Sequence, residues 1–156
     1  MRPRTLFSTV AVLSAVACGG SSSKSINGPN PSSAPMSATI DGAAWSSALP
    51  QAIYNGSILS VAGLNTALTT SVSFAIATTA PGTYSVALGN VIGGNAIVVE
   101  GSKGWGSALA GGTGSVTLTT LTTHHVVGTF AFDAVPASGG ATGTVHVTNG
   151  RFDVTF

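Results

Sequence analysis

The sequence predicts an all-β domain, an antiparallel β-sandwich or, by the same alternation, a closed or partly open β-barrel. Three observations predict it. Thr, Val, Ile and Phe recur in short runs broken by Gly and Asn. Period two governs "SVSFAIAT", where Val72, Phe74 and Ile76 share a face, and "VGTFAFDA", where Phe130 and Phe132 do. No stretch carries an apolar period of 3.6 residues long enough for an amphipathic helix. Apolar faces of this kind bury each other, and two packed sheets lie about 10 Å apart.

In chain order the strands are "QAIYN", "SILSVAGL", "TSVSFAIAT", "TYSVAL", "NAIVVEG", "GSVTLTT", "VVGTFAFDAV", "TVHVT" and "RFDVTF". Asp41-Gly42 makes a turn before Trp45, and Asn55-Gly56-Ser57 joins "QAIY" to "SILSV" as a hairpin. The run "TLTTLTTHH" lacks a repeat that ranks its threonines, so it reads as the solvated side of a strand. At the C-terminus Asn149-Gly150 is the pair most favoured in a type I′ turn, which predicts a two-residue hairpin. Val147 then faces Phe152, His146 faces Asp153 and Val145 faces Val154. The four apolar residues point inward, and His146 and Asp153 form a structural cross-strand pair on the outer face.

Upstream of the strands, Met1-Arg2-Pro3-Arg4 is a basic leader and Leu6 to Ala17 an apolar stretch too short to span a bilayer. Residues 1–17 therefore read as an export signal that is removed. Ala15-Val16-Ala17 satisfies the small-x-small cleavage rule, and its position directly before Cys18 resembles a bacterial lipobox, with Ala15 where that motif usually has Leu. Cys18 is the only cysteine, so it forms no internal disulfide, and lipidation gives its thiol a role that an unanchored secreted chain would leave vacant. Two or three acyl chains hold stably where one is marginal. Residues 18–36, from Cys18 through "GGSSSKSINGPNPSSAP", bury too little to order and read as a tether. Residues 37–156 are enough for one core and too few for two ordinary domains.

Charge excludes several partners. Without Arg2 and Arg4 the chain keeps Lys24, Lys103 and Arg151 against Asp41, Glu100, Asp133 and Asp153, three minus four, or about −1. No basic stripe awaits a nucleic acid, and no acidic cluster awaits calcium.

"ATIDGAAWSS", "APGTYSV", "GTFAFDA" and "VTNGRFDV", in that order, resemble an uncharacterised family of small bacterial lipoproteins with a β-rich domain of unknown function. The resemblance implies an envelope protein and carries no catalytic residues with it. Under the sorting rule that comes with such lipoproteins, Gly19 in place of Asp after the cysteine implies the outer membrane.

Catalytic patterns are thin: no G-x-S-x-G elbow, no free cysteine nucleophile and no phosphate loop with its Lys occur. His124 and His125 are neighbours, so on a strand they point to opposite faces and make no ordinary metal corner. No cofactor or metal is expected. Trp45 and Trp105 are candidate stacking platforms for a sugar ring, Trp105 more so because the glycines of "KGWGS" suggest a mobile loop, although core packing serves either indole as well. The expectation is a non-catalytic binding or scaffolding module, anchored to membrane lipid through Cys18 and facing an envelope protein or glycan. The alternatives are an envelope hydrolase built on a His/Asp pair and a secreted, unanchored β domain.

Overall fold

The computed structural model describes residues 34–89 and 93–156. The export signal, Cys18 and nearly all of the tether lie outside the described residues. The strands are β1 (Met36–Ile40), β2 (Ala43–Ser46), β3 (Gln51–Tyr54), β4 (Ile58–Leu64), β5 (Thr70–Ala77), β6 (Gly82–Ser85), β7 (Asn95–Glu100), β8 (Lys103–Gly106), β9 (Thr113–Leu121), β10 (His125–Ser138) and β11 (Val145–Thr155). All pairings are antiparallel, in the order β2-β1-β11-β10-β8-β7-β5-β4-β3, with β9 also on β10 and β6 on β9. The all-β antiparallel class is the expected one, realised as a single strongly curled sheet that forms a half-barrel.

β10 causes the curl. Its first ten residues lie between β9 and β11, whereas Val135 to Ser138 pair with β8 instead. One strand thus serves two halves of the sheet, and their inner faces meet across the core. Phe74 of β5 touches Phe130 of β10 and Phe152 of β11, with ring centroids 5.6 and 5.1 Å apart. Val72, Phe74 and Ile76 are buried, as are Phe130 and Phe132, so both alternations point as predicted.

Three elements escaped the sequence reading. β1 and β2 form a hairpin whose turn, Asp41-Gly42, has φ of 46° and 83°, both in the left-handed region of a type I′ turn. Met36, assigned above to the end of the tether, has no exposed surface and opens β1, so the ordered domain starts before residue 37. β8 is "KGWG" itself, expected as a loop; it pairs with β7 on one side and β10 on the other.

The C-terminal hairpin is corrected. "VHVTNGRFDVT" is one unbroken strand, bonded to β10 along one edge and to β1 along the other. Asn149 takes positive φ, 52°, inside a bulge that shifts the register on both edges. Val147 and Phe152 are five residues apart, an odd step that an unbroken pleat would send to opposite faces. The bulge absorbs one residue, and Val145, Val147, Phe152 and Val154 all turn inward as expected. Gly150 is needed for close approach, since a Cβ there would lie 2.4 Å from the Phe130 carbonyl oxygen and 2.5 Å from its ring.

Candidate functional site

The outer face of β9, β10 and β11 gathers most of the chemistry among the described residues. Thr117 and Thr129 face outward between buried neighbours, Thr119 is exposed beside buried Leu118, and Thr83 of β6 shares a hydroxyl hydrogen bond of 3.0 Å with Thr117. Arg151 stands in the middle of this face, its Nε donating to Ser37 Oγ at 3.0 Å. Two shallow depressions meet at Arg151 and Thr129. One, of about 510 Å³, is bordered by Pro35, Thr119 and Asp153. The other, of about 430 Å³, is bordered by Ser115, Thr117 and Asn149.

Correction of the register changes the His/Asp pairing. His146 and Asp153 lie on the same strand, seven residues apart, and do not meet. Asp133 of β10 is the residue opposite His146, and His146 Nδ1 lies 2.7 Å from Asp133 Oδ1. Asp153 is joined instead by His125, whose Nε2 lies 2.7 Å from Asp153 Oδ1. Thr113 Oγ1 donates to Asp133 Oδ2 at 3.2 Å, and the His146 backbone N–H donates to Asp41 Oδ1 at 2.8 Å. His124 turns away, with Nδ1 3.2 Å from the Phe156 carbonyl oxygen.

This wiring differs from that of a catalytic triad. In a catalytic triad the imidazole stands between the hydroxyl and the carboxylate. Here the order is different: Asp133 stands between His146 and Thr113. Both His/Asp pairs are exposed. They stand eight residues apart along β10, about 27 Å at roughly 3.4 Å per residue, so they do not merge into one site. Among the described residues no three His, Cys, Asp or Glu side chains converge to hold a metal.

Both tryptophans are buried, Trp45 at 7 % exposure and Trp105 at 6 %. Trp45 Nε1 donates to the Thr70 carbonyl oxygen at 3.2 Å, and Trp105 Nε1 to that of Gly143 at 3.1 Å. Neither offers a free ring face for a sugar. For Trp105 the flanking glycines mark a crowded strand rather than a mobile loop: a Cβ at Gly104 would meet Ser138 Oγ at 2.6 Å.

A family model, the domain of unknown function DUF6252, matches residues 32–154. The chain belongs to this family. The match begins just ahead of β1 and runs to within a residue of the end of β11, so the DUF6252 domain coincides with the half-barrel. No curated protein and no solved structure matches the chain. Sequence reading missed the Asp133–His146 and His125–Asp153 pairs, though a signal existed. "SGGATGT", residues 138–144, is denser in turn residues than Asn149-Gly150, and folding β10 back on β11 there matches Asp133 to His146.

Proposed function

We propose that this member of DUF6252 is a lipoprotein of the bacterial cell envelope, exported, acylated at Cys18 and held at the outer membrane, with a non-catalytic β domain that binds an envelope glycan or protein. The observation that carries the binding role is the pair of open depressions meeting at Arg151, on a face rich in Ser and Thr hydroxyls. A guanidinium surrounded by hydroxyls suits sugar hydroxyls, carboxylates or phosphates, the groups that an envelope surface displays. An open surface also fits recognition of an extended partner better than enclosure of a small substrate.

A photo-crosslinking residue in place of Thr129, in the full chain expressed in its native envelope, tests the binding role. A defined adduct is expected, and Arg151→Ala should abolish it while leaving the β signal in circular dichroism unchanged. An adduct indifferent to Arg151, or none, would remove the binding role from this face. The anchor is tested apart from it. Cells fed labelled palmitate should label the wild-type chain and not Cys18→Ala, whereas an unlabelled wild-type chain would make the secreted, unanchored alternative the better reading.

A further inference from the structure

Among the described residues seven large apolar side chains stay exposed, Ile53 the most at 70 %, and two of them, Leu49 and Leu68, lie on adjacent loops. Leu49, between β2 and β3, is 59 % exposed, and Leu68, between β4 and β5, is 63 % exposed. Leu68 holds φ at 57°, in the left-handed region that suits Gly or Asn and penalises a bulky side chain. The turn that displays it is firmly built. Asn65 Oδ1 accepts from the Thr69 and Thr70 backbone N–H groups at 2.9 and 3.1 Å, and the Leu68 N–H donates to the Asn65 carbonyl oxygen at 3.0 Å.

The two loops lie side by side. Ser47 bridges to Asn65, the Ala48 N–H donates to the Leu64 carbonyl oxygen at 2.8 Å, and Ser47 Oγ accepts from the N–H groups of both Leu49 and Leu64. The chain enters the domain at this same end, where the Ser47 N–H donates to the carbonyl oxygen of Met36 at 2.9 Å.

We infer that the loops carrying Leu49 and Leu68 form a tip that rests on the lipid surface, the leucines entering its interfacial layer. The inference rests on the lipoprotein reading above and adds an orientation to it. Three observations select a lipid surface as the occupant. Cys18 and Ala34 are sixteen residues apart, and a chain of that length reaches at most about 55 Å even fully extended, so the domain stays close to its anchor. The end that receives this chain is the end bearing the leucines. The two loops carry no Asp, Glu, Lys, Arg or His, and the charges that flank them are Glu100, opposite Thr70, and Lys103, opposite Glu100, on the neighbouring β7–β8 hairpin. Two leucines cover far less than the roughly 1,200 Å² of a specific protein interface. On a chain already anchored, a small contact suffices, because its docking is intramolecular.

The test uses the full acylated chain in vesicles of phosphatidylethanolamine and phosphatidylglycerol. A fluorophore sensitive to polarity is attached at Thr66→Cys in the tip or, as a control, at Thr83→Cys on β6, in the other half of the sheet. Emission from the tip should shift to the blue and be quenched by lipids carrying a nitroxide near the headgroup, while the control shows neither effect. Leu49→Ser with Leu68→Asn should abolish both effects, and Asn accommodates the left-handed turn, so the fold is kept. Palmitate labelling of the same samples reads the anchor separately. A labelled chain whose tip behaves like the control would overturn the inference and leave the anchor standing. Tip-to-tip crosslinking without quenching would overturn it in favour of a second copy. An unlabelled chain would remove the anchor and the inference with it.

Discussion

A leucine at φ 57° is held there by the turn around it, and the penalty for a side chain in that region is about 1–2 kcal/mol relative to a residue that tolerates it. Leu68 is exposed and returns little by burial. Leu68→Asn alone should therefore raise unfolding stability by about 0.5–1 kcal/mol, read as a higher urea midpoint at unchanged slope. A lower midpoint would mean that the side chain is held by contacts its exposure does not reveal. Phe130 is the opposite case. It packs against Phe74, Phe132 and Phe152 and covers Gly150, so Phe130→Ala should cost about 3–5 kcal/mol by the same measurement. The exposed His146–Asp133 pair sits between these extremes, and His146→Ala should change stability by less than about 1 kcal/mol.

At the scale of the element, β11 is decided by its bulge. Deleting Asn149 would leave Val147 and Phe152 four residues apart, an even step, so a regular pleat without a bulge keeps Val145, Val147, Phe152 and Val154 on the core face. The deletion should therefore preserve the cooperative thermal transition, as should Asn149→Gly, which keeps both length and positive φ, whereas an alanine inserted after Asn149 leaves an odd step beyond the one the bulge absorbs and should abolish it. The same arithmetic explains why the strand was misread. A hairpin at Asn149-Gly150 and a bulge at Asn149 both bring the four apolar residues to one side, so the alternation in "VHVTNGRFDVTF" fits either. What separates them is the presence of β1 and β10 as partners, which is tertiary information. Elements with a clear period two, such as β5 and β10, were legible because large apolar residues fall at alternate positions, Val72, Phe74 and Ile76 in one and Phe130 and Phe132 in the other. β2 and β8 were not, because "AAWS" and "KGWG" are short and each has one large apolar residue. The outer face was legible as solvated Thr and Ser, but its His/Asp partners follow from register, which the misplaced turn had set wrongly.

Across the whole molecule, β10 makes the two halves of the sheet one cooperative unit, since its first ten residues cannot lose β9 and β11 without disturbing the segment that holds β8. The rings of Phe74, Phe130 and Phe152 join the halves again through the core. A domain of this size, with a single core spanned by both halves, should unfold in one step. The two tryptophans allow a direct check, because Trp45 lies on β2 in one half and Trp105 on β8 in the other, both buried. Trp105→Phe leaves a reporter in the first half and Trp45→Phe leaves one in the second. Each variant is destabilised by its own loss, so the comparison is made within each protein. In urea, the fluorescence of the remaining indole should trace the same transition as the far-ultraviolet β signal of that variant. If fluorescence from Trp105 were lost at lower urea than the β signal, the segment of β10 after Ala134 would be acting as a hinge, and the half-barrel would be two folding units sharing a strand.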